Sequence, residues 1–532
     1  MATDAQSGKA AGGRQTAESM AARQREISVS EFFSKNRHLL GFDNPQKALL
    51  TAVKEAVDNS LDACEEAGIL PSVRVEIRQL GEDRFRIAVE DNGPGIVKAQ
   101  IPKVFGKLLY GSKFHTRKQA RGQQGIGISA AGMYGLLTTG KSVAVTSRTG
   151  SGHPAHYYEI QIDTRKNVPQ VITDKVVEWA PPHGTRVEIE LTGTYKKGRH
   201  SVDDYVRQTA IANPHCEIFF TTPDAEAPLH LRRGSETLPP EPKEIKPHPY
   251  GVELGVLIGM MKETSAKHIS LALQNDFSRV SARVAEDICS AAGLSLKANP
   301  HSIAVNEAER LFKAINAIKI MSPATNCLSP IGEEQILAGL RKEIPADFHT
   351  AVTRAPSVYR GNPFQVEVGL AYGGDMPGDE LVDLLRFANR VPLQYQQSAC
   401  AISKAVLGID WRSYGLGQSK GALPTGPAAI FVHIASVWVP FTSESKEAVA
   451  AYPEIMKELR LALQECGRKL ATHIRAHRRA LDEEKKKSYI EKYIPHIGIA
   501  LREILGLSAE GEAELVARLV DVLERSRARG EK

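Results

Sequence analysis

Residues 44–95 restrict the fold more than any other part of the chain. Asn44-Pro45 has the chemistry of a helix start: an Asn side chain that caps free amides, and a Pro whose missing N–H costs nothing in the first turn. Leu49, Ala52, Val53, Ala56, Val57 and Leu61 then recur at helical spacing, which predicts a helix to about Ala67, closed before Gly68. Val73–Ile77 and Phe85–Val89 alternate apolar and polar residues, as half-buried strands do. The turn Asp91-Asn92-Gly93-Pro94-Gly95 follows directly. An amphipathic helix beside half-buried strands sets an α/β class for this part of the chain.

The whole chain has 532 residues, enough for three or four domains. No apolar run reaches the roughly 18 residues that a membrane span needs. The richest, 427–440, carries His433 and Ser436. The first residues lack the apolar core of a secretory leader. Six scattered cysteines without a CxxC pair point away from structural zinc and disulfides and toward a reducing interior, so a cytoplasmic location is expected. A net charge of +6 permits contact with nucleic acid without arguing for it.

Residues 1–25 are small and polar and read as a disordered arm. Residues 101–121 read as a basic loop, Gly122 opens a glycine-rich turn into a short helix, and strands are expected at Val143–Ser147 and Arg186–Leu191. From 248 to 322 the periodicity is helical, and from 325 to 445 it is mixed again. Pro363–Tyr372 reads as a strand, and the apolar run Ala428–Val439 as a buried central one. Residues 446–494 read as a long charged helix, with a shorter amphipathic helix around Leu515–Leu523.

One motif invites a wrong reading. Gly135 to Ser142 matches the phosphate-loop pattern GxxxxGK[ST] letter for letter. That motif works only between a strand and a following helix, whose N-terminus meets the phosphates. Here a helical segment precedes it and the strand-like Ser142–Ser147 follows, so a helix-to-strand turn with a surface Lys141 is expected.

The chemistry lies in four elements taken in order. Glu55 and Asn59, four apart on the first helix, share one face. A carboxylate there can deprotonate water, and a carboxamide oxygen is a hard neutral ligand suited to magnesium beside phosphates. Asp91 at a strand end can accept a hydrogen bond from an exocyclic amine, and Gly93 and Gly95 permit tight turns. Gly122, Gly125 and Gly127 open a helix, so free amides and a positive helix end can cradle phosphates. Lys113, Arg117, Lys118 and Arg121 just upstream could shield those phosphates or form a solvated loop. Thr185 starts a strand, where its hydroxyl could reach a base or Asp91 through water. Each element alone is weak.

Together, in this order and spacing, they resemble the GHKL ATPase superfamily. Longer blocks, among them Glu31–Pro71, Arg121–Gly135, Arg386–Tyr395 and Val439–Ala450, are similar to topoisomerase VI B subunits over roughly Ile27 to Tyr493. The resemblance implies a GHKL (Bergerat) ATP-binding domain over 26–247, a helix–two-turns–helix domain over 248–324, an α/β transducer over 325–475 and a C-terminal helical segment over 476–532 that contacts the topoisomerase VI A subunit. It implies ATP and Mg²⁺ as cofactors, with Asn59 on the metal, Asp91 on adenine, Gly93, Gly95 and Thr185 nearby, and Ser112 and Lys113 in a lid. Arg121, Gly122, Gln123, Gln124, Gly125, Ile126, Gly127, Ile128 and Ser129 would surround the phosphates. Glu55 would be the base. A transducer lysine would sense the γ-phosphate: Lys446 is favoured, Lys420 is the alternative. The implied partners are the A subunit, a second copy in an ATP-dependent dimer of an A2B2 assembly, and double-stranded DNA that is relaxed and decatenated by strand passage. The alternative is an ATP-dependent clamp or chaperone of the same superfamily that passes no DNA.

Overall fold

The computed structural model of the chain describes residues 17–22, 26–111, 117–122, 125–443 and 445–530. Within the expected arm over 1–25, the described part carries a short helix, Ala17–Ala21. Helix α1, Pro45–Glu66, starts where its cap chemistry places it: the Asn44 side chain accepts from the Lys47 amide at 2.8 Å. It buries Leu49, Val53, Val57 and Leu61. Each is worth roughly 1.5–3 kcal/mol when fully covered. It ends at Ala67, after which Gly68 takes a φ of 69°.

The helix lies on a mostly antiparallel sheet of eight strands, ordered β5-β4-β3-β6-β2-β1-β7-β8. These are β1 Ser72–Gln79, β2 Arg84–Asp91, β3 Val143–Arg148, β4 Ala155–Asp163, β5 Val168–Val177, β6 Gly184–Thr192, β7 Glu217–Thr221 and β8 Leu229–Leu231. Helix α2, Gly127–Thr139, and α3, Val202–Ala212, pack on the same side. The register between β2 and β6 sets Asp91 opposite Thr185, which brings the second and fourth sequence elements together. The phosphate-loop lookalike is the C-terminal end of α2 and its cap: Gly140 closes the helix at φ 72°, Lys141 is exposed and β3 follows. Residues 101–106, expected as loop, form a helix because Ile101 and Phe105 find cover in the core.

A helical module comes next: α4 Leu254–Glu263, α5 Ile269–Asp276, α6 Ala282–Ala292 and α7 Val305–Ala317. It closes around its own core of Leu257, Met261, Leu273, Ile288 and Leu311.

The second sheet is built from β9 Phe348–Thr353, β10 Ser357–Tyr359, β11 Asn362–Tyr372, β12 Asp383–Ala388, β13 Val391–Pro392 and β14 Ala428–Ser436. Helix α8, Glu333–Glu343, covers one face. Strand β14 lies between β11 and β12, parallel to β12, and is buried along its whole length. Its face toward α8 holds a buried polar pair, His433 Nδ1 on Glu367 Oε2 at 2.8 Å. The long helix α10 runs Pro453–Leu505, with α9, Ala401–Leu407, beside its root. It does not start at 446: residues 446–452 form a loop first. The domain boundary expected at 475/476 falls inside this one continuous helix. Helix α11, Ala509–Gly530, packs back on it through Arg502 to Glu512 at 2.7 Å. Among the described residues, no helix is long and apolar enough to cross a membrane.

Candidate functional site

Between α1, the sheet, the glycine loop and the second sheet lies a cavity of about 270 Å³. Glu55, Asn59, Asp91, Thr185, Gly122, Gly125, Gly127 and Lys446 all line it, with Ile126 and Ile128. Residues up to 391 positions apart in sequence (446 − 55) thus face one space.

Helix α1 supplies the floor. Glu55 and Asn59 project from one face into the cavity. The glycine loop passes so close that a side-chain carbon built on Gly127 would overlap the Glu55 carboxyl. Gly127 therefore has to be glycine for the loop to sit on the acid. A carbon built on Gly122 would come within 3.8 Å of the Asn59 amide oxygen. The loop then enters α2, whose N-terminus carries the positive end of the helix dipole.

Asp91 is buried at the end of β2 and accepts three hydrogen bonds. The Ser60 hydroxyl donates to Oδ2 at 2.9 Å, and the amides of Gly93 and Thr185 donate to Oδ1 at 2.9 and 3.2 Å. Burial pushes its pKa up to about 6, although those three donors pull it down. Ser60 escaped the sequence reading, though its place beside Asn59 on the helix was the available signal. The Thr185 hydroxyl sits 3.1 Å from Ser147 Oγ, which also accepts from the Ile96 amide at 2.8 Å. Gly93 and Gly95 do not line the cavity. Gly95, at φ 72°, is pressed against the Arg148 carbonyl, so its role is close backbone packing.

Arg121 is a correction. It was expected on phosphates, but its guanidinium is buried and turned away, bonded to Asp62 at 2.8 Å, Glu65 at 2.6 Å and Asn213 at 2.5 Å. Against the cost of burial, Arg121 and His215 hold the Glu65 carboxyl well below the usual range. Ser129 also faces elsewhere, donating to the Ile126 carbonyl at 3.0 Å. Ser112, Lys113, Gln123 and Gln124 lie outside the described residues.

Of the two candidate lysines, the structure brings Lys446 to the cavity and leaves Lys420 exposed in a turn elsewhere. Lys446 has a left-handed backbone, φ 53°, and its Nζ donates to the Arg121 carbonyl at 3.4 Å. Burial lowers its pKa, and the Glu55 carboxylate counters this. Behind Glu55, one turn along α1, Asp58 is buried and receives the Tyr205 hydroxyl at 3.0 Å. Burial pushes the Asp58 pKa up to about 6. Neither Asp58 nor Tyr205 stood out in the sequence, since a buried acid and its partner on α3 look like ordinary helix residues.

The fold and cavity define an ATPase of the GHKL class. Residues 44–192 match the family profile described as "Histidine kinase-, DNA gyrase B-, and HSP90-like ATPase". Residues 323–487 match "Topoisomerase VI B subunit, transducer". The chain is 48% identical over 95% of its length, and 81% of the relative's, to the B subunit of type 2 DNA topoisomerase 6 from Methanosarcina barkeri. Proteins of the same name from Methanococcoides burtonii and Archaeoglobus fulgidus are 50% and 48% identical over 92% and 96% of this chain, and 79% and 84% of theirs. The overlap with the solved B-subunit of DNA gyrase from Myxococcus xanthus is looser. It has a TM-score of 0.42 at 14% identity over 83% of this chain and 95% of that one, and adds nothing to the assignment. The chain belongs to the topoisomerase VI B-subunit family, the ATP-dependent subunits of a type II DNA topoisomerase.

Proposed function

We propose that the cavity binds ATP with Mg²⁺ and that its hydrolysis drives a protein gate for DNA. One observation carries the reading: Glu55, Asn59, Asp91, the glycine loop and Lys446 line a single cavity. The donor set fits the nucleotide. The one remaining lone pair of Asp91, on Oδ2, suits an exocyclic amine, the amides after Gly122 and the start of α2 suit phosphates, and the Asn59 amide oxygen suits a hard cation. Mg²⁺ held there would neutralise phosphate charge during transfer.

Glu55 orients a water and takes its proton as the water oxygen bonds to the γ-phosphorus and the bond to ADP breaks. Lys446 contacts the γ-phosphate, so the triphosphate and diphosphate states differ by one cation contact that spans the two sheets. Nucleotide binding brings two copies together around a duplex, and the transducer passes the change through α10 to the A subunit, which cleaves DNA. The assembly is A2B2, acts on double-stranded DNA by relaxation and decatenation, and works in the cytoplasm. The helical module, α4–α7, has no assigned role in this scheme.

The test is Glu55→Ala beside Lys141→Ala, with nucleotide binding, ATP hydrolysis and supercoil relaxation measured in the presence of a topoisomerase VI A subunit. Glu55→Ala is expected to bind nucleotide and lose turnover, and Lys141→Ala to behave as the parent. Normal turnover in Glu55→Ala overturns the site. ATP hydrolysis by the parent protein without any relaxation overturns the DNA gate and favours a clamp or chaperone.

A further inference from the structure

The sensor lysine has a problem of support. Lys446 sits in an irregular loop with a backbone conformation that side-chain-bearing residues disfavour, φ 53°. Local bonds close the loop: the Lys446 amide donates to the Ser443 carbonyl at 3.1 Å and the Thr442 amide to the Ala448 carbonyl at 2.9 Å. None of these reaches the nucleotide domain. The next residue does. Glu447 is 8% exposed and pairs with Lys47 Nζ at 2.7 Å.

Lys47 lies in the first turn of α1, the helix that carries Glu55 two turns on and Asn59 one turn beyond that. It is 12% exposed and held from several sides: by Glu447, by Asp43 at 2.9 Å, and by the ring of Tyr395, whose centroid is 5.2 Å from Nζ. Glu447 and Tyr395 both belong to the transducer part of the chain. Burial works against the Lys47 charge, but Glu447 and Asp43 outweigh it and hold its pKa above the ordinary lysine value. Lys47 therefore keeps its charge across the physiological range.

We infer that the Lys47–Glu447 ion pair is an interdomain clasp that holds the sensor loop, and so Lys446, at a set distance from the base helix. This rests on the reading of the cavity as an ATP site with Lys446 as its sensor. Both halves of the hydrolytic machinery then hang from one rigid element: base and metal ligand by covalent attachment to α1, sensor by a salt bridge to the same helix. Glu447 and Lys47 are positioning residues and touch no reacting atom. Their effect is on discrimination: with the clasp open, Lys446 is tied to the nucleotide domain by the long 3.4 Å bond of its Nζ to the Arg121 carbonyl and no longer through its loop, and the site holds tri- and diphosphate more equally.

The experiment measures the ratio of affinities for a non-hydrolysable ATP analogue and for ADP, on the full chain. The variants are Glu447→Gln, Lys47→Glu, and the swap Lys47→Glu with Glu447→Lys, the last two on an Asp43→Asn background so that the new acid has none beside it. Lys446→Ala is run in parallel, and circular dichroism establishes that each variant is folded. Lys47→Glu is expected to lower the ratio by about tenfold or more, Glu447→Gln to lower it in the same direction, and the swap to return it to within about threefold of the parent. An unchanged ratio in Lys47→Glu, or a folded swap that fails to restore it, overturns the clasp. If Lys446→Ala leaves the ratio intact, the sensor assignment itself falls. If Lys446→Ala collapses the ratio and the clasp variants do not, only the clasp falls.

Discussion

Asp91→Asn separates the burial of the Asp91 carboxylate from its proposed recognition of the base. The carboxylate is buried, and its pKa is raised from 3.8 to about 6. At neutral pH the folded protein therefore carries an ionised acid that the unfolded chain holds more cheaply, at a cost of about 3 kcal/mol. The sign follows: the folded form takes up the proton first, so the penalty is full above a pH of about 6 and shrinks as the pH falls toward 3.8. Asn keeps an oxygen for the Gly93 and Thr185 amides, and its NH2 can donate to Ser60 Oγ, so the network survives the change. What it loses is the acceptor proposed above to meet an exocyclic amine. Asp91→Asn should thus be more stable than the parent at about pH 7.5, with a lead that narrows by about 1.4 kcal/mol at about pH 5. Its ATP affinity should drop by about 10- to 100-fold, the worth of one hydrogen bond to a charged group. Urea unfolding of both proteins at the two pH values, with nucleotide binding by calorimetry, checks this. A lead that does not change with pH, or a variant less stable throughout, refutes the burial argument; unchanged affinity refutes the recognition role.

Gly127→Ala should cost about 100-fold or more in ATP turnover, because the added carbon displaces the Glu55 carboxyl from under the loop; steady-state hydrolysis reads it. Arg121→Ala should lower folding stability by about 3–5 kcal/mol by removing the buried guanidinium that bonds Asp62 and Glu65, and urea unfolding reads that. An Arg121→Ala protein of parental stability that has lost only ATP affinity would restore the phosphate role first expected of it.

The candidate site was legible where the residues that line it are placed by spacing along one element. Glu55 and Asn59 share a helix face whatever the rest of the chain does, and the glycines before α2 announce a loop-to-helix entry. Arg121 was misread because its meaning lies in partners 59, 56 and 92 residues away, which nothing in a run of basic residues discloses. In sequence it is one cation among several; in the fold it is the counter-charge of a buried acidic pocket. Strands β4 and β5 were missed for a related reason. β5 is an edge strand with Val171, Ile172 and Val176 exposed, so its pattern follows no buried face. The long helix was expected to begin at 446, since the charged run there reads as helical. The bridge of Phe441 to Val449 and the Glu447 pair hold that segment as an irregular loop until Pro453 supplies a helix start.

Helix α10 has one more mechanical consequence. Its first turns bury their own Ile455, Leu459, Leu463, Cys466 and Leu470 in the core of the second sheet, all fully covered, while the stretch after Ile474 is mostly open to water. That stretch runs on to Leu505, roughly 45 Å at about 1.5 Å per residue. A beam clamped at one end multiplies small rotations: each degree of tilt where it is gripped sweeps the far end by about 0.8 Å. A sub-ångström rearrangement around a phosphate can therefore arrive at the distal end as a displacement large enough to pull packed surfaces away from each other.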